Sequence, residues 1–334
     1  MAQQPKKVTA LLAIGVQLGH IREFVAKGVG FFADEGLDVT LQPALGSAKQ
    51  IQYMLADQGT AGSIDMHMIV NLRKKKDEKR LVAVYAHLQA GVYRLGVIEG
   101  GAVKTLADMK GKTVGVPTKS SGTYPFLLAA AKLANLSESD FEVVPVGFGP
   151  SASQALIRGR IQLLSATISG INNLRYMSRS AKGWKFKEIK VPMNAWPTNA
   201  LIFTEDEVRN ERDKVVGMLR AMSKAHVFVD ENPRAALAVV KKLHPELVQD
   251  RDIERASQLV EWAMKETYSA PASRANDPLG SFHRASWEGT ERYYKDLGLI
   301  DKDASLFSVI DSSLLADAND FDQARVREMA RSYK

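Results

Sequence analysis

Short apolar runs and amphipathic stretches alternate in a regular order along the first part of the chain. The runs at 8–14, 37–41 and 60–66 have the length and composition of β-strands. The stretches 21–34 and 47–58 between them place apolar residues at helical spacing, and glycines mark the turns. The pattern therefore predicts a βαβαβ unit.

The same order recurs about a hundred residues farther along the chain. Strand-like runs at 112–116, 141–145 and 160–166 alternate with helical stretches at 124–134 and 152–158. A chain of 334 residues also exceeds the usual size of a single hydrophobic core. We therefore predict an α/β fold class with two lobes of one design, each a mixed sheet flanked by helices.

Two segments are expected to carry the chain between the lobes. The first crossing, 86–91, follows a strand-like run, and the second, 192–199, precedes a run at 200–204 that can add a strand to the first lobe. Helical patterns then dominate. The predicted organisation is lobe I at 1–88 plus 200–334, lobe II at 89–199, and hinges near 86–91 and 192–199.

The candidate ligand-binding residues stand in the loops and helix starts that follow the predicted strands. In open α/β sheets the ligand crevice lies outside the carboxyl ends of the strands, so we expect a ligand cleft between the lobes. The candidates in lobe I are Gln17, His20, Gly46, Ser47, Ser63, Asp65 and His87. The candidates in lobe II are Ser120, Ser121, Gly122, Thr123, Phe148, Thr167 and Trp196.

Two of these positions suggest the polarity of the ligand, and each has an alternative. The hydroxyls and N–H groups of 120–123 at a helix N-terminus suit an anionic or polar ligand group, but one of these residues could simply cap the helix. Asp65 would suit an amine, a hydroxyl or a heterocyclic N–H if it faces the cleft, but it could instead cap the helix that begins near Met66. Aromatic residues near the cleft and crossings could stack on a planar ligand: Tyr53, Tyr85, Tyr93, Tyr124, Phe148 and Trp196.

Composition narrows the possible functions. The formal net charge of +7 comes without dense basic tracts, and the charged run at 71–80 is read as a solvated surface, so no nucleic-acid partner is expected. The absence of cysteine excludes disulfides, thiolate metal sites, a cysteine nucleophile and a lipobox anchor in the chain as given. No apolar run reaches 18 residues, which argues against a transmembrane helix.

Several common catalytic motifs are missing from the sequence. The six histidines show neither H-x-H nor H-E-x-x-H spacing, and no G-x-S-x-G elbow occurs, so no catalytic residue, metal or cofactor is predicted. A nucleophile–base pair is likewise not expected. Residues 1–7 are polar and lack the apolar core of a signal peptide. The chain is therefore expected to be either cytoplasmic or the mature part of an exported protein.

Several stretches carry a recognisable family pattern. These are AKGVGFFADEGLDV at 26–39, Gly46-Ser47, TLADMKGKTVGV at 105–116 and Ser121-Gly122-Thr123. Together they resemble the periplasmic substrate-binding proteins of ABC importers, in the nitrate/sulfonate/taurine branch with its thiamine-precursor-binding relatives. The resemblance covers about residues 8–310. It departs from the family where an acidic residue usually follows the glycine of a turn before a strand: Gly62 and Gln162 stand near those places.

The resemblance implies a two-lobed, type II periplasmic-binding-protein fold. It implies a monomer that binds a small ligand by hinge closure in the periplasm and delivers it to the permease and ATPase subunits of an ABC importer. The ligand could be a sulfonate, an aromatic carboxylate or a pyrimidine-like compound. The alternative is an enzyme related to the eukaryotic thiamine-pyrimidine synthases, which share the fold. That alternative is disfavoured because those enzymes carry a cysteine-rich iron motif and this chain has no cysteine.

Overall fold

The computed structural model describes residues 4–74, 80–249 and 252–333. Part of the charged run discussed above, 75–79, lies outside the described residues. The strands are β1 Lys6–Leu12, β2 Leu37–Pro43, β3 Ala61–Asp65, β4 Leu81–Tyr85, β5 Tyr93–Ile98, β6 Thr113–Val116, β7 Glu142–Pro145, β8 Leu163–Thr167, β9 Phe186–Ile189 and β10 Asn199–Thr204.

The α-helices flank these strands and dominate the last third of the chain. They are α1 Ile21–Val29, α2 Phe31–Asp34, α3 Ser47–Leu55, α4 Met66–Leu72, α5 Thr123–Leu133, α6 Pro150–Ile157, α7 Ile168–Ser180, α8 Glu205–Asn210, α9 Arg212–Glu231, α10 Pro233–Leu243, α11 Ile253–Ala263, α12 Arg284–Asp296, α13 Leu315–Ala318 and α14 Gln323–Ser332.

The chain divides into two compact units. Unit 1 comprises residues 1–89 and 198–334, and unit 2 comprises residues 90–197. In unit 1 the five strands run in the order β2-β1-β3-β10-β4. Strand β1 pairs in parallel with β2 and β3, whereas β10 pairs antiparallel with β3 and β4. The strand that returns from the end of unit 2 thus lies inside the sheet of unit 1.

Unit 2 repeats this design with its own five strands. Their order is β7-β6-β8-β5-β9, with parallel pairs around β6 and antiparallel pairs around β5. Apolar residues of α6, β8 and α7, including Leu156, Leu164 and Ile171, form a buried core. The predicted α/β fold class, with a mixed sheet flanked by helices in each lobe, is therefore confirmed.

One predicted helix is divided in two. The helical pattern at 21–34 runs across Gly30, but the structure ends α1 at Val29 and begins α2 at Phe31. Gly30 lies between them with φ of +98°, a left-handed conformation that glycine adopts without steric cost. The apolar periodicity continues through this break because α1 buries Phe24 and Val25 and α2 buries Phe31 and Phe32. Among the described residues, no helix combines the length and apolar character needed to cross a bilayer.

Candidate functional site

The polar candidates of unit 1 are organised around the carboxyl end of β3. The Ser47 hydroxyl, in the first turn of α3, accepts a hydrogen bond from the Asp65 backbone N–H at 3.1 Å. Gln50, one turn later, donates from Nε2 to the Ser63 carbonyl at 2.9 Å. A Cβ at Gly62 would overlap Gln50 Oε1, so glycine lets α3 approach the strand. The glycine at position 62 therefore has a packing role.

Asp65 is buried and hydrogen-bonded within unit 1. Its Oδ1 accepts from the Tyr294 hydroxyl and lies 2.6 Å from His67 Nδ1. Asp65 stands directly before α4, but its side chain makes no capping hydrogen bond. The alternative that Asp65 caps this helix is therefore wrong. Contact of Asp65 with a ligand stays a prediction, and the sequence analysis missed Tyr294 because it is 229 residues away.

The loop after β1 holds His20 in one orientation. The Ile14 backbone N–H points at His20 Nε2 at 3.3 Å, and Gln17 Nε2 donates to the Ile14 carbonyl at 2.8 Å. Nε2 must therefore carry a lone pair, so Nδ1 carries the proton and donates to Glu23 Oε1 at 3.4 Å. Burial by itself raises the Glu23 pKa, but the interactions with His20 and the Arg22 charge outweigh it and lower the pKa to about 2.

Ser63 and His87 form a hydroxyl–imidazole pair. Ser63 Oγ lies 3.0 Å from His87 Nε2, and the Arg22 guanidinium donates to the His87 carbonyl at 3.0 Å. Burial, followed by the positive charge of Arg22, lowers the His87 pKa to about 3, so the ring is neutral at physiological pH. Arg22 also stacks on the ring of Tyr268, 4.2 Å from its centroid.

This pair corrects the expectation that no nucleophile–base arrangement exists. The two residues are 24 positions apart, so no local motif reveals them. Within the described part of the chain, His87 Nδ1 has no hydrogen-bond partner, and therefore the third group that orients the base in a catalytic triad is missing. The described residues also contain no cluster of three or more His, Cys, Asp or Glu side chains arranged to hold a metal.

The candidates of unit 2 lie around the N-terminus of α5. Ser121 Oγ accepts a hydrogen bond from the Thr123 hydroxyl at 3.1 Å and a long one from the Thr123 N–H at 3.4 Å. Ser165 on β8 donates to the Thr123 carbonyl at 2.8 Å and ties the helix start to the sheet. Ser121 and Thr123 are buried, whereas Ser120 is exposed and pairs with the Thr118 hydroxyl at 3.0 Å.

The alternative that a residue of 120–123 caps the helix is therefore partly correct, because the Ser121 hydroxyl accepts from the Thr123 N–H at the start of α5. Pro125 in the first turn has no N–H to satisfy, which suits its position. The Ser120 hydroxyl remains on the surface at this helix start. Binding of an anionic group here stays a prediction.

The other candidates of unit 2 occupy separate places in its fold. Phe148 is half-buried in a loop closed by Ser151, whose hydroxyl donates to the Val146 carbonyl at 2.8 Å. Thr167 ends β8 and precedes α7 without a side-chain cap, and Trp196 is half-buried after a 3-10 turn. Two of the aromatic residues considered for stacking, Tyr85 and Tyr93, belong to the buried core of their units.

The two predicted crossing segments touch each other in unit 2. The Gly91 N–H donates to the Asn194 carbonyl at 3.1 Å, and Asn194 Nδ2 donates to the Tyr93 carbonyl at 2.9 Å. A Cβ at Gly91 would overlap the carbonyl oxygens of this second segment, so the close approach requires glycine. The crossings are thus held side by side by backbone hydrogen bonds.

Comparison with known proteins assigns the family. The model of the NMT1/THI5-like family matches residues 17–236, about two thirds of the chain. The chain belongs to the NMT1/THI5-like family. The match includes the β3 end, the Ser63–His87 pair and the start of α5. None of the curated protein sequences matches this NMT1/THI5-like chain.

Solved structures with the same fold include an alkanesulfonate-binding and a nitrate-binding protein. The alkanesulfonate-binding protein SsuA from Xanthomonas axonopodis pv. citri, bound to MOPS, is 12% identical with a TM-score of 0.67, covering 93% of this chain and 100% of its own. The periplasmic nitrate-binding protein NrtA from Synechocystis PCC 6803 is 10% identical with a TM-score of 0.68, covering 100% of both chains.

A third structure with this fold is an enzyme. The desulfurization enzyme DSZB is 13% identical with a TM-score of 0.58, covering 94% of this chain and 98% of its own. At such identities the likeness shows the two-lobed fold shared with periplasmic binding proteins, and function has to be argued from the residues of this chain.

Proposed function

We propose that this NMT1/THI5-like protein is the solute-binding component of an ABC-type uptake system. It binds one small polar organic molecule, a sulfonate, an aromatic carboxylate or a pyrimidine-like compound, in the periplasm and passes it to a membrane permease with its ATPase. The observation that carries the proposal is the pair of polar loop sets, one at the carboxyl end of β3 and one at the start of α5. Ligand-binding proteins among the structural neighbours support it.

We further propose that the ligand has an acceptor end and a donor end. The exposed Ser120 hydroxyl and the N-terminus of α5 favour a carboxylate, sulfonate or carbonyl oxygen. Asp65 at the end of β3 favours an amine or a heterocyclic N–H. Binding is accompanied by hinge rotation at 86–91 and 192–199. Small-angle scattering tests this motion, because saturating ligand should reduce the radius of gyration and an unchanged radius would argue against it.

Calorimetric titration against sulfonates, aromatic carboxylates, pyrimidines and nitrate tests the two-ended ligand. Thr123→Val removes the hydroxyl that donates to Ser121 and should weaken binding by about 1 kcal/mol, roughly fivefold. Asp65→Asn should matter chiefly for ligands with an amine or N–H. Matched controls are Thr113→Val and Asp140→Asn, whose hydrogen bonds are exposed in unit 2. Tight nitrate binding that ignores Asp65→Asn would contradict the two-ended ligand.

An enzyme on this scaffold is the second candidate, because the Ser63–His87 pair has nucleophile–base geometry and DSZB shares the fold. Because His87 Nδ1 has no hydrogen-bond partner among the described residues, no third group orients the imidazole to act as a base. Ligand released by denaturation should have the mass of the ligand supplied. A mass change that disappears in Ser63→Ala would put the enzyme first.

A further inference from the structure

A small cavity in unit 1 adjoins His87 of the Ser63–His87 pair. Arg22 and His87 line it together with Tyr85, His226 and Tyr268, and exposed Asp277 lies at its edge. The cavity offers about 20 Å³ to the centre of a water-sized sphere. That volume suits one water molecule and excludes an organic ligand.

Two buried atoms, in residues that line this cavity, have no hydrogen-bond partner among the described residues. They are Arg22 Nε and His87 Nδ1, in residues that are 2% and 7% exposed. Arg22 Nε carries a hydrogen and is always a donor. His87 Nδ1 can be a donor or an acceptor, depending on the tautomer. A buried polar atom without a hydrogen-bond partner destabilises the fold. A cavity of water size beside two such atoms therefore indicates that one water molecule forms hydrogen bonds with both.

The tautomer of His87 decides whether the Ser63 hydroxyl can donate a hydrogen bond to another group. The neutral ring has one N–H, and its Nε2 lies 3.0 Å from Ser63 Oγ. If Nδ1 holds the proton, Ser63 must donate to Nε2 and offers only lone pairs elsewhere. If Nε2 holds the proton, Ser63 accepts from it, and its own O–H is free to donate.

We propose that one water in this cavity accepts from Arg22 Nε–H and donates to His87 Nδ1, which fixes the Nε2–H tautomer and makes Ser63 a hydrogen-bond donor. The positive charge of Arg22 orients the water with its oxygen toward Nε–H and its hydrogens away from the guanidinium, so that a hydrogen faces the lone pair of His87 Nδ1. Ser63 is half-buried and lies two residues before Asp65 on the same face of β3. This step rests on the proposed function: the end of the ligand that donates to Asp65 also carries an oxygen or ring nitrogen that accepts from Ser63.

Nitrogen-15 NMR of the histidine rings in the full-length, unliganded protein tests the water bridge. His87→Gln identifies the His87 signals by their loss. We expect a protonated Nε2 and a lone-pair Nδ1 in the wild type, and a shift of population toward Nδ1–H in Arg22→Leu, checked for folding by circular dichroism. A wild-type ring protonated at Nδ1 overturns the proposal, whether or not the variant folds.

The role of Ser63 is tested by titrating the sulfonates, aromatic carboxylates, pyrimidines and nitrate of the panel, and by following the compound that the wild type binds most tightly. Ser63→Ala should weaken affinity fivefold to tenfold, whereas Ser332→Ala, an exposed hydroxyl in α14, should leave it unchanged. Unchanged affinity in Ser63→Ala overturns the donor role. If no compound of the panel binds, the proposed function fails, while the tautomer measured without ligand still decides the water bridge.

Discussion

Replacing Tyr294 by Phe removes one hydroxyl from the buried environment of Asp65. In the wild type this hydroxyl donates to Asp65 Oδ1 and lies 3.2 Å from the Thr198 carbonyl. Tyr294 is 1% exposed and Asp65 2% exposed, so water does not readily replace the lost donor. Phenylalanine fills nearly the same volume, and therefore the change acts through polarity and not through a cavity.

The expected loss of stability depends on the hydrogen bonds that Asp65 and the Thr198 carbonyl keep in the variant. Asp65 keeps His67 Nδ1 at 2.6 Å, and the Thr198 carbonyl keeps the Met66 N–H at 2.9 Å. The loss is therefore one hydrogen bond to a buried acidic side chain, which is worth about 1.5–3 kcal/mol. In a unit of this size that loss lowers the melting temperature by about 3–12 °C.

Equilibrium urea unfolding of wild type and Tyr294→Phe measures this difference, and differential scanning calorimetry measures the change in melting temperature. Tyr124→Phe is the matched control, because its hydroxyl bonds Glu138 on the exposed face of unit 2. The control should lose less than about 0.5 kcal/mol. If Tyr294→Phe is as stable as the control, Asp65 does not depend on Tyr294 and the description of this site is wrong.

Two further stability predictions follow from buried groups of unit 1. Burial, followed by the charges of Arg22 and Arg327, lowers the His226 pKa to about 3. The stability that the neutral ring contributes above pH 6.5 is therefore lost as the pH falls toward 3. Between pH 7 and pH 5, the free energy of unfolding measured by urea titration should fall by about 2 kcal/mol less in His226→Gln than in the wild type. Gly280→Ala should lower the free energy of unfolding by about 3 kcal/mol or more in the same assay, because φ is +85° and a Cβ would overlap the Tyr85 ring. Gly36→Ala, where φ is +69° and the space around a Cβ is open, should lower it by only about 1 kcal/mol. An equal pH dependence in His226→Gln, or equal costs for the two alanines, would contradict these assignments.

Local pattern was enough for the repeated βαβαβ elements of both units, whereas α7 and β9 were not predicted. The βαβαβ order repeats because each strand buries one or both faces and each helix buries one stripe, and such periodicity is visible in sequence. The break at Gly30 escaped prediction because the apolar pattern runs through it, and only a positive φ reveals it. The return of β10 into the first sheet was predictable from its apolar run after a proline-containing crossing.

The chemistry of the candidate site was less accessible to sequence analysis. Ser63, Asp65 and His87 were singled out by their place at or after strand ends, but the partners Tyr294 and Arg22 were not. Tyr294 comes from α12, and Arg22 meets His87 across 65 positions. Such contacts depend on tertiary packing, which no spacing rule encodes. The hydrogen-bond partners at the end of β3 are therefore known only from the structure.

Native mass spectrometry of the freshly purified protein is the sharpest test of the proposed binding function. We expect one small organic molecule bound per chain, released by denaturation with its mass unchanged, and rebinding of that molecule at one-to-one stoichiometry. A protein-dependent change in the mass of the ligand would contradict the binding function. A chain that retains nothing and binds no member of the sulfonate, carboxylate, pyrimidine and nitrate panel would contradict it as well.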